Sequence, residues 1–166
     1  MVVVIMTRLI ITIALALIHF KSMGQFHRKD NEGLFILSPG LFYQEQLFCE
    51  LNLMYAKNIT AHGIVLIWGP RIGTEINFKA DRFIYAPKIG YEISGFPLAL
   101  RANTVAYVDR SQIDIRLLPE IGLSFFGLIN LTYGYNFPVS GFKSSEISRQ
   151  RISLIANLDF DLWNKL

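Results

Sequence analysis

The chain has 166 residues, of which 52% are hydrophobic and 17% are charged, so it is more apolar and less charged than ordinary soluble domains. Its net charge of +3 comes from basic residues scattered singly along the chain, which argues against nucleic-acid binding because that function needs a clustered basic surface. The single cysteine, Cys49, excludes an internal disulfide and a cysteine metal cluster, and we expect no metal or cofactor.

The first 24 residues have the pattern of a signal peptide. A start with one positive charge, Arg8, precedes an apolar run over residues 9–20, and the small residues Ser22 and Gly24 follow. An uncleaved anchor helix is the alternative, because residues 2–20 approach the ~20 residues that span a bilayer. Arg8 favours the signal peptide, since a charge at membrane depth is costly. Residues 25–33 form a polar lead-in, and residues 34–166 form one domain.

The remaining chain is divided into segments in which apolar and polar residues alternate with a period of two. This period is that of β-strands whose two faces meet different environments. Short polar or glycine-bearing links separate the segments, which predicts an all-β, antiparallel up-and-down barrel of eight strands. The predicted strands are 34–43, 47–56, 63–78, 82–94, 97–108, 112–125, 128–139 and 147–162.

One face of the predicted strands carries the charged residues in equal numbers of both signs. The cations are Arg71, Lys88, Arg101, Arg116, Arg149 and Arg151, and the anions are Glu50, Glu75, Glu92, Asp114, Glu120 and Asp159. Such a balance allows the charges to pair across a dry interior, where an unpaired charge is costly. We therefore predict that these twelve residues form a charge network in the barrel lumen.

The opposite face carries leucine, isoleucine and aromatic residues without charge. In an outer-membrane barrel this face meets lipid, whereas in a soluble lipocalin-like barrel it lines a ligand cavity. The membrane arrangement is favoured by aromatic residues near strand ends, where they would form girdles at the membrane interfaces. These aromatic residues are Tyr55, Phe78, Phe83, Tyr135, Phe137 and Phe160.

Glycine and proline recur within the predicted strands. Glycines lie on the charged face at positions 73, 90, 122 and 134, where a narrow barrel would need small neighbours beside long side chains. Pro70, Pro87 and Pro119 each begin a repeated Pro-x-Ile-Gly motif. Because proline cannot donate to a strand ladder, we expect bulges or strand kinks at these three positions.

With its predicted signal peptide, eight alternating segments and repeated Pro-x-Ile-Gly motif, the chain resembles the small outer-membrane β-barrel proteins of Gram-negative bacteria. The architecture is similar to that of the membrane domain of OmpA and of OmpX. The resemblance implies a transmembrane barrel in the cell outer membrane, surrounded by lipid and inserted by the barrel insertion machinery. Such proteins often end in an aromatic residue, whereas here three residues, 164–166, follow Trp163.

The sequence favours a structural or envelope-maintenance role over catalysis, transport or adhesion. His19, His27 and His62 lie outside the strand faces, so no catalytic base is placed beside a nucleophile. Glu75 and Glu92 could be paired catalytic carboxylates, but neighbouring cations favour a filling network. An eight-stranded barrel leaves no continuous aqueous path.

The longest link, 140–146, offers a small candidate partner surface at Phe142 and Lys143. If the barrel were a surface-binding protein, changes at these two residues would abolish attachment without affecting folding. The other alternative that we keep is a secreted or periplasmic soluble barrel that binds an apolar ligand.

Overall fold

A computed structural model of the chain describes residues 33–61, 64–79, 82–109, 112–142, 144 and 147–159. The predicted signal segment, most of the lead-in, Lys143 and the C-terminal residues 160–166 lie outside the described residues. The three histidines and the side chain of Phe78 also lie outside them. Within the described ranges, no helix has the length and hydropathy needed to cross a membrane.

The described residues form a closed antiparallel β-barrel, as the sequence predicts. Each strand pairs with its neighbours in the chain, and the first strand also pairs with the last, which closes the sheet. The segments are β1 (Gly33–Gln44), β2 (Gln46–Ala61), β3 (Ile64–Lys79), β4 (Arg82–Gly95), β5 (Leu98–Asp109), β6 (Gln112–Phe125), β7 (Ile129–Tyr135), β8 (Phe137–Pro138), β9 (Gln150–Ala156) and β10 (Leu158–Asp159). They make eight strands, because β8 continues β7 and β10 continues β9.

The register of the strands determines the width of the barrel. Register partners can be followed once around it: Gly33, Lys57, Trp68, Ile93, Leu100, Ile121, Tyr133, Ile152 and Tyr43. The path returns to β1 at Tyr43, ten residues beyond its start at Gly33. With eight strands, this stagger corresponds to a strand tilt of about 40° and a backbone radius of about 8 Å. An interior of this width is filled by side chains.

Alternate residues on each strand point inward and are buried, as the period of two predicts. On β6 the charged residues Asp114, Arg116 and Glu120 are buried, while Ile121 and Leu123 are 56% and 64% exposed on the outer wall. The charged face therefore lines the interior, and the apolar face forms the outer surface. β2 is longer than predicted, and it carries Lys57 outward near its end.

Proline divides the barrel into four hairpins. Pairing is continuous within the hairpins β1/β2, β3/β4, β5/β6 and β7/β9. Each seam between hairpins lacks two consecutive residue pairs, and each gap contains one proline: Pro39, Pro70, Pro87 or Pro119. The register is the same on both sides of every gap, so no residue is inserted. The register therefore contradicts bulges at Pro70, Pro87 and Pro119, and the other expectation at these positions, a strand kink, stays a prediction.

The gaps are one-sided because a strand residue directs its N–H and C=O groups to the same neighbour. A proline, which has no N–H, therefore interrupts pairing with one neighbour and leaves the other intact. Pro119 keeps its partner Ala102 on β5, whereas pairing with the seventh strand lapses beside it. The seventh strand breaks into β7 and β8 at Asn136, in this gap.

The two ends of the barrel differ in their connections. At one end, which we call the terminal end, lie Gly33, Asp159 and the short connections 62–63, 96–97 and 126–128. Phe126 and Gly127 have positive φ values of 54° and 74°, and the N–H of Leu128 donates to the carbonyl of Phe125 at 3.0 Å. The opposite end, the loop end, carries the short connections at 45, 80–81 and 110–111 and the longest connection, 139–149.

Candidate functional site: the charged interior

Eleven of the twelve residues predicted to form the lumen network are buried inside the barrel. Their exposed fractions are 8% or less. The eleven are Glu50, Arg71, Glu75, Lys88, Glu92, Arg101, Asp114, Arg116, Glu120, Arg151 and Asp159. The twelfth, Arg149, is exposed, because the last strand begins at Gln150 and not at residue 147 as predicted. The prediction that Arg149 belongs to the network is therefore wrong, and the buried members of the predicted set are five cations and six anions.

Three cations and three carboxylates meet at the centre of the interior. We call Glu50, Glu75, Lys88, Arg101, Glu120 and Arg151 the central cluster. Arg151 reaches Glu75 Oε1 with Nη1 at 2.7 Å and Glu50 Oε2 with Nη2 at 3.2 Å. Lys88 Nζ lies 3.0 Å from the same Glu75 oxygen and also contacts Glu50. These contacts join β2, β3, β4 and β9 across the barrel.

Glu120 connects the remaining members of the central cluster. Its Oε1 lies 3.4 Å from Arg101 Nη2 and 3.6 Å from Arg151 Nε. Ser153 Oγ and Asn103 Nδ2 donate to the same carboxylate at 3.0 and 2.9 Å. Because the side chains of all six members are buried, each charge depends on the others for compensation.

A second ion pair lies toward the terminal end of the barrel. Arg71 Nη1 is 2.5 Å from Glu92 Oε2. The other Glu92 oxygen accepts hydrogen bonds from Ser94 Oγ at 2.9 Å, Asn130 Nδ2 at 2.8 Å and Asn157 Nδ2 at 3.0 Å. Glu92 therefore has its own cation and a set of neutral donors.

A third ion pair holds the longest connection against the loop end. Arg116 Nη2 lies 2.7 Å from Asp114 Oδ2 and 3.1 Å from the carbonyl of Ser144. Arg116 Nη1 donates to the carbonyl of Ile147 at 2.8 Å, and Asp114 accepts the backbone N–H of Ser144 at 2.9 Å. Of the predicted surface residues, Phe142 is half-buried. The described part of the connection therefore folds over the barrel and does not extend from it.

Two apolar clusters inside the barrel were missed at the sequence level. One includes Phe42, Phe48, Ile84, Ala86, Val105, Tyr107, Leu118 and Ile147. The other includes Leu34, Ile36, Met54, Ala56 and Ile67. Their position in the alternation could have revealed them, since Phe48 and Leu118 are each two residues from a charged inward residue, Glu50 and Glu120. The interior is thus mixed, with apolar packing beside the ion pairs.

At the inward glycines, side chains or the backbone of a neighbouring strand occupy the space that a Cβ atom would need. A Cβ atom at Gly134 would lie 2.7 Å from Glu120 Cγ and 3.2 Å from Arg151 Cγ, so this glycine makes room for the central cluster as predicted. At Gly122 a Cβ atom would lie 2.0 Å from the backbone oxygen of Leu131. There the glycine permits close approach of the neighbouring strand.

The arrangement can neutralise charge, but it does not form an acid and base pair from Glu75 and Glu92. Glu75 is bound by Lys88, Arg151 and the hydroxyl of Tyr107, which donates to Oε2 at 3.0 Å. Glu92 is bound by Arg71 and the donors described above. Both carboxylates are fully buried. Within the described residues, no group of histidine, cysteine and carboxylate side chains is arranged to hold a metal ion.

Comparisons with family models, with curated proteins and with solved structures found no match for this chain.

Proposed function

We propose that this protein is an integral outer-membrane β-barrel with a structural or envelope-maintenance role and with no open pore. The observation that carries the proposal is the distribution of residues between the two faces of a closed barrel. Ion pairs and two apolar clusters fill the interior, while residues such as Ile72, Ile89 and Phe83 are 61%, 62% and 64% exposed on the outer wall. Large exposed apolar surfaces mark sites that are covered by another phase or partner. Here the apolar surface extends all the way around the barrel, which is the shape of surface that a lipid bilayer would cover.

The height of the apolar surface supports the proposal. Outward residues of β4 are apolar or aromatic from Phe83 to Ile93, except for Pro87. At about 3.3 Å per residue and a tilt of about 40°, this run covers about 25 Å along the barrel axis. That height is close to the apolar band of known outer-membrane barrels. Lys57 points outward near the end of β2, where it would lie at the headgroups.

Aromatic residues lie toward both ends of the outer wall. At the terminal end, Phe35 and Tyr55 have ring centroids 5.1 Å apart, and Phe96 stacks on Phe126 at 5.2 Å. Toward the loop end lie Tyr43, Phe83, Tyr85 and Phe137, all exposed. Two rings of aromatic residues match the girdles of membrane barrels at the two interfaces.

The longest connection indicates which end of the barrel would face the cell surface. Outer-membrane barrels have short turns on the periplasmic side and longer connections outside. In this barrel the longest connection, 139–149, lies at the loop end, and both ends of the described barrel lie at the terminal end. The other connections are one to three residues long at both ends. The proposed orientation places the terminal end in the periplasm and the connection 139–149 at the cell surface.

The alternative, a soluble carrier for an apolar ligand, receives less support from the interior. Such a carrier would hold its ligand in a cavity lined by the apolar face. Here the interior positions of the described strands carry the central cluster, and the apolar face points outward. A surface-binding role also receives less support, because the described part of the connection 139–149 folds over the loop end of the barrel and is held there by Arg116 and Asp114. The partners that we propose are outer-membrane lipid and the barrel insertion machinery, and we propose no catalytic activity.

Membrane insertion can be tested by refolding the protein in vesicles of dimyristoylphosphatidylcholine. We expect the protein to resist extraction by alkaline carbonate. We also expect unheated samples to migrate differently from heated ones on denaturing gels, because a closed barrel stays folded in detergent until it is heated. A protein that stays monomeric and soluble without detergent, and that is not retained by vesicles, would refute the proposal.

A further inference from the structure

The outer wall contains a groove of about 490 Å³ on the side formed by β4 to β8. Its centre is the register pair Ala102 and Pro119, two small residues between larger neighbours. Its walls are aromatic and include Tyr91, Tyr133, Tyr135 and Phe137. The rings of Tyr135 and Phe137 lie 4.6 Å apart and are tilted by 54° to each other.

One side of the groove borders the seam that Pro119 interrupts. Pairing between β6 and the seventh strand lapses beside Pro119, and the seventh strand breaks between Tyr135 and Phe137. Pro119, Tyr135 and Phe137, which line the groove, therefore lie where the strand pairing is interrupted. Ala102 lies in the middle of β5, so the centre of the groove is at mid-height, and its wall extends toward the loop end at Phe137.

The chemistry of the groove fits a hydrocarbon chain. Methyl, prolyl and aromatic groups line it. Arg101 and Glu120 also border it, but their side chains are fully buried on the inner face of the wall. Their charges therefore do not face the groove, and a polar ligand would find few partners there. Its volume is within the range of small-molecule sites.

We propose that the groove binds one acyl chain of a membrane lipid, an inference that depends on the proposed membrane location. At mid-height the surrounding phase would be hydrocarbon, so the ligand is a lipid tail and not a headgroup. A second copy of the chain fits less well, because a stable dimer buries about 800 Å² on each partner. A groove bordered by eleven residues offers much less.

The test uses native mass spectrometry after insertion into dimyristoylphosphatidylcholine vesicles and extraction into mild detergent. We expect the wild-type barrel to retain one lipid. Ala102→Trp should fill the groove and reduce retained lipid at least tenfold. Thr104→Trp, at the next outward and exposed position of β5, is the matched control and should retain lipid as the wild type does. Ala102→Leu, a smaller change, replaces Ala102→Trp if the latter does not fold.

Several outcomes would overturn the inference. They are a wild-type barrel that inserts but retains no lipid, and equal retention by the Ala102 and Thr104 variants. A wild-type dimer that Ala102→Trp dissociates would assign the groove to a second copy. Lipid retention only after removal of residues 1–32 would assign it to that segment. Heat-dependent gel migration separates the two proposals, since failure to insert refutes the membrane location itself.

Discussion

Arg151 shows how a single residue contributes to the barrel interior. Its guanidinium group contacts Glu75, Glu50 and Glu120, which lie on three other strands, and it stacks over the ring of Phe42 at 3.6 Å. A buried ion pair need not add net stability, because both charges lose their hydration. Removing one partner is different, since it leaves the other charge buried without compensation.

We predict that Arg151→Met lowers the free energy of unfolding by about 3–5 kcal/mol, the usual cost of an orphaned buried charge. Methionine keeps much of the side-chain volume, so the loss reports mainly on charge. The measurement is urea unfolding of the barrel in vesicles. Arg149→Met, at an exposed position, is the control and should have little effect. Equal effects of the two substitutions would contradict the assigned role of Arg151.

A second prediction at the residue scale uses the depth of outward positions on β4. Ile89 lies at mid-height and Phe83 lies near the loop end, and both are strongly exposed. Ile89→Arg should lower the free energy of unfolding in vesicles by about 2–4 kcal/mol, and Phe83→Arg by about 0–1 kcal/mol, because the cost of a charge depends on its depth in the bilayer. The same unfolding measurement checks this. Similar effects at both positions would indicate that no hydrocarbon layer surrounds the barrel.

At the scale of the elements, the hairpin is the continuous unit and the seam is the interrupted one. All four gaps in pairing lie between hairpins, and each contains a proline. The backbone carbonyl of the residue opposite each proline receives no hydrogen bond from it, because proline has no N–H. In the outer wall of a membrane barrel this is costly, because lipid supplies no donors.

We predict that Pro119→Ala restores pairing across the β6/β7 seam. The new N–H at position 119 would point toward the carbonyl of Tyr135, its partner by register. Amide hydrogen exchange measured by nuclear magnetic resonance should show this N–H protected as strongly as its neighbours in β6. The net change in stability should be small, since a hydrogen bond gains about 0.5–1.5 kcal/mol and the loss of proline gives back about 0.4–1 kcal/mol. Rapid exchange at position 119 would show that the seam is held open by other residues.

At the scale of the whole molecule, closure of the barrel and filling of its interior act together. The described strands have no free edge, because β1 pairs with β2 on one side and with β9 and β10 on the other. Ion pairs and two apolar clusters occupy the interior. A closed wall around a filled interior suits a structural protein better than a channel.

We therefore predict no stable conductance in planar lipid bilayers at moderate voltage. An eight-stranded barrel that holds its own side chains leaves no continuous path for ions. Insertion should be verified in the same sample by heat-dependent gel migration, because a sample without inserted protein would also show no conductance. Long-lived, uniform channel openings would show that the central cluster moves aside.

Much of the architecture can be predicted from the sequence because strand alternation is a local property. Glu75 and Ile76 are adjacent, so a strand must direct them to opposite faces, and the same holds for Arg116 and Leu117. This reasoning correctly assigns eleven charged residues to one face. It fails at Arg149, because the start of the last strand depends on the connection that precedes it. It also overlooks Phe48 and Leu118, which are apolar and face inward among the charges.

The sequence by itself determined that strands form and which residues share a face, since both follow from a period of two along the chain. The predicted balance of six cations and six anions becomes five and six, because Arg149 is exposed. The tertiary structure decided which charges meet, because Arg151 reaches Glu75 only across a closed barrel of this width and stagger. It also decided that each proline interrupts one seam and not both, since the direction of its missing N–H depends on how the hairpins lie side by side. Closure, register and contacts across the interior are long-range properties, and local alternation does not specify them.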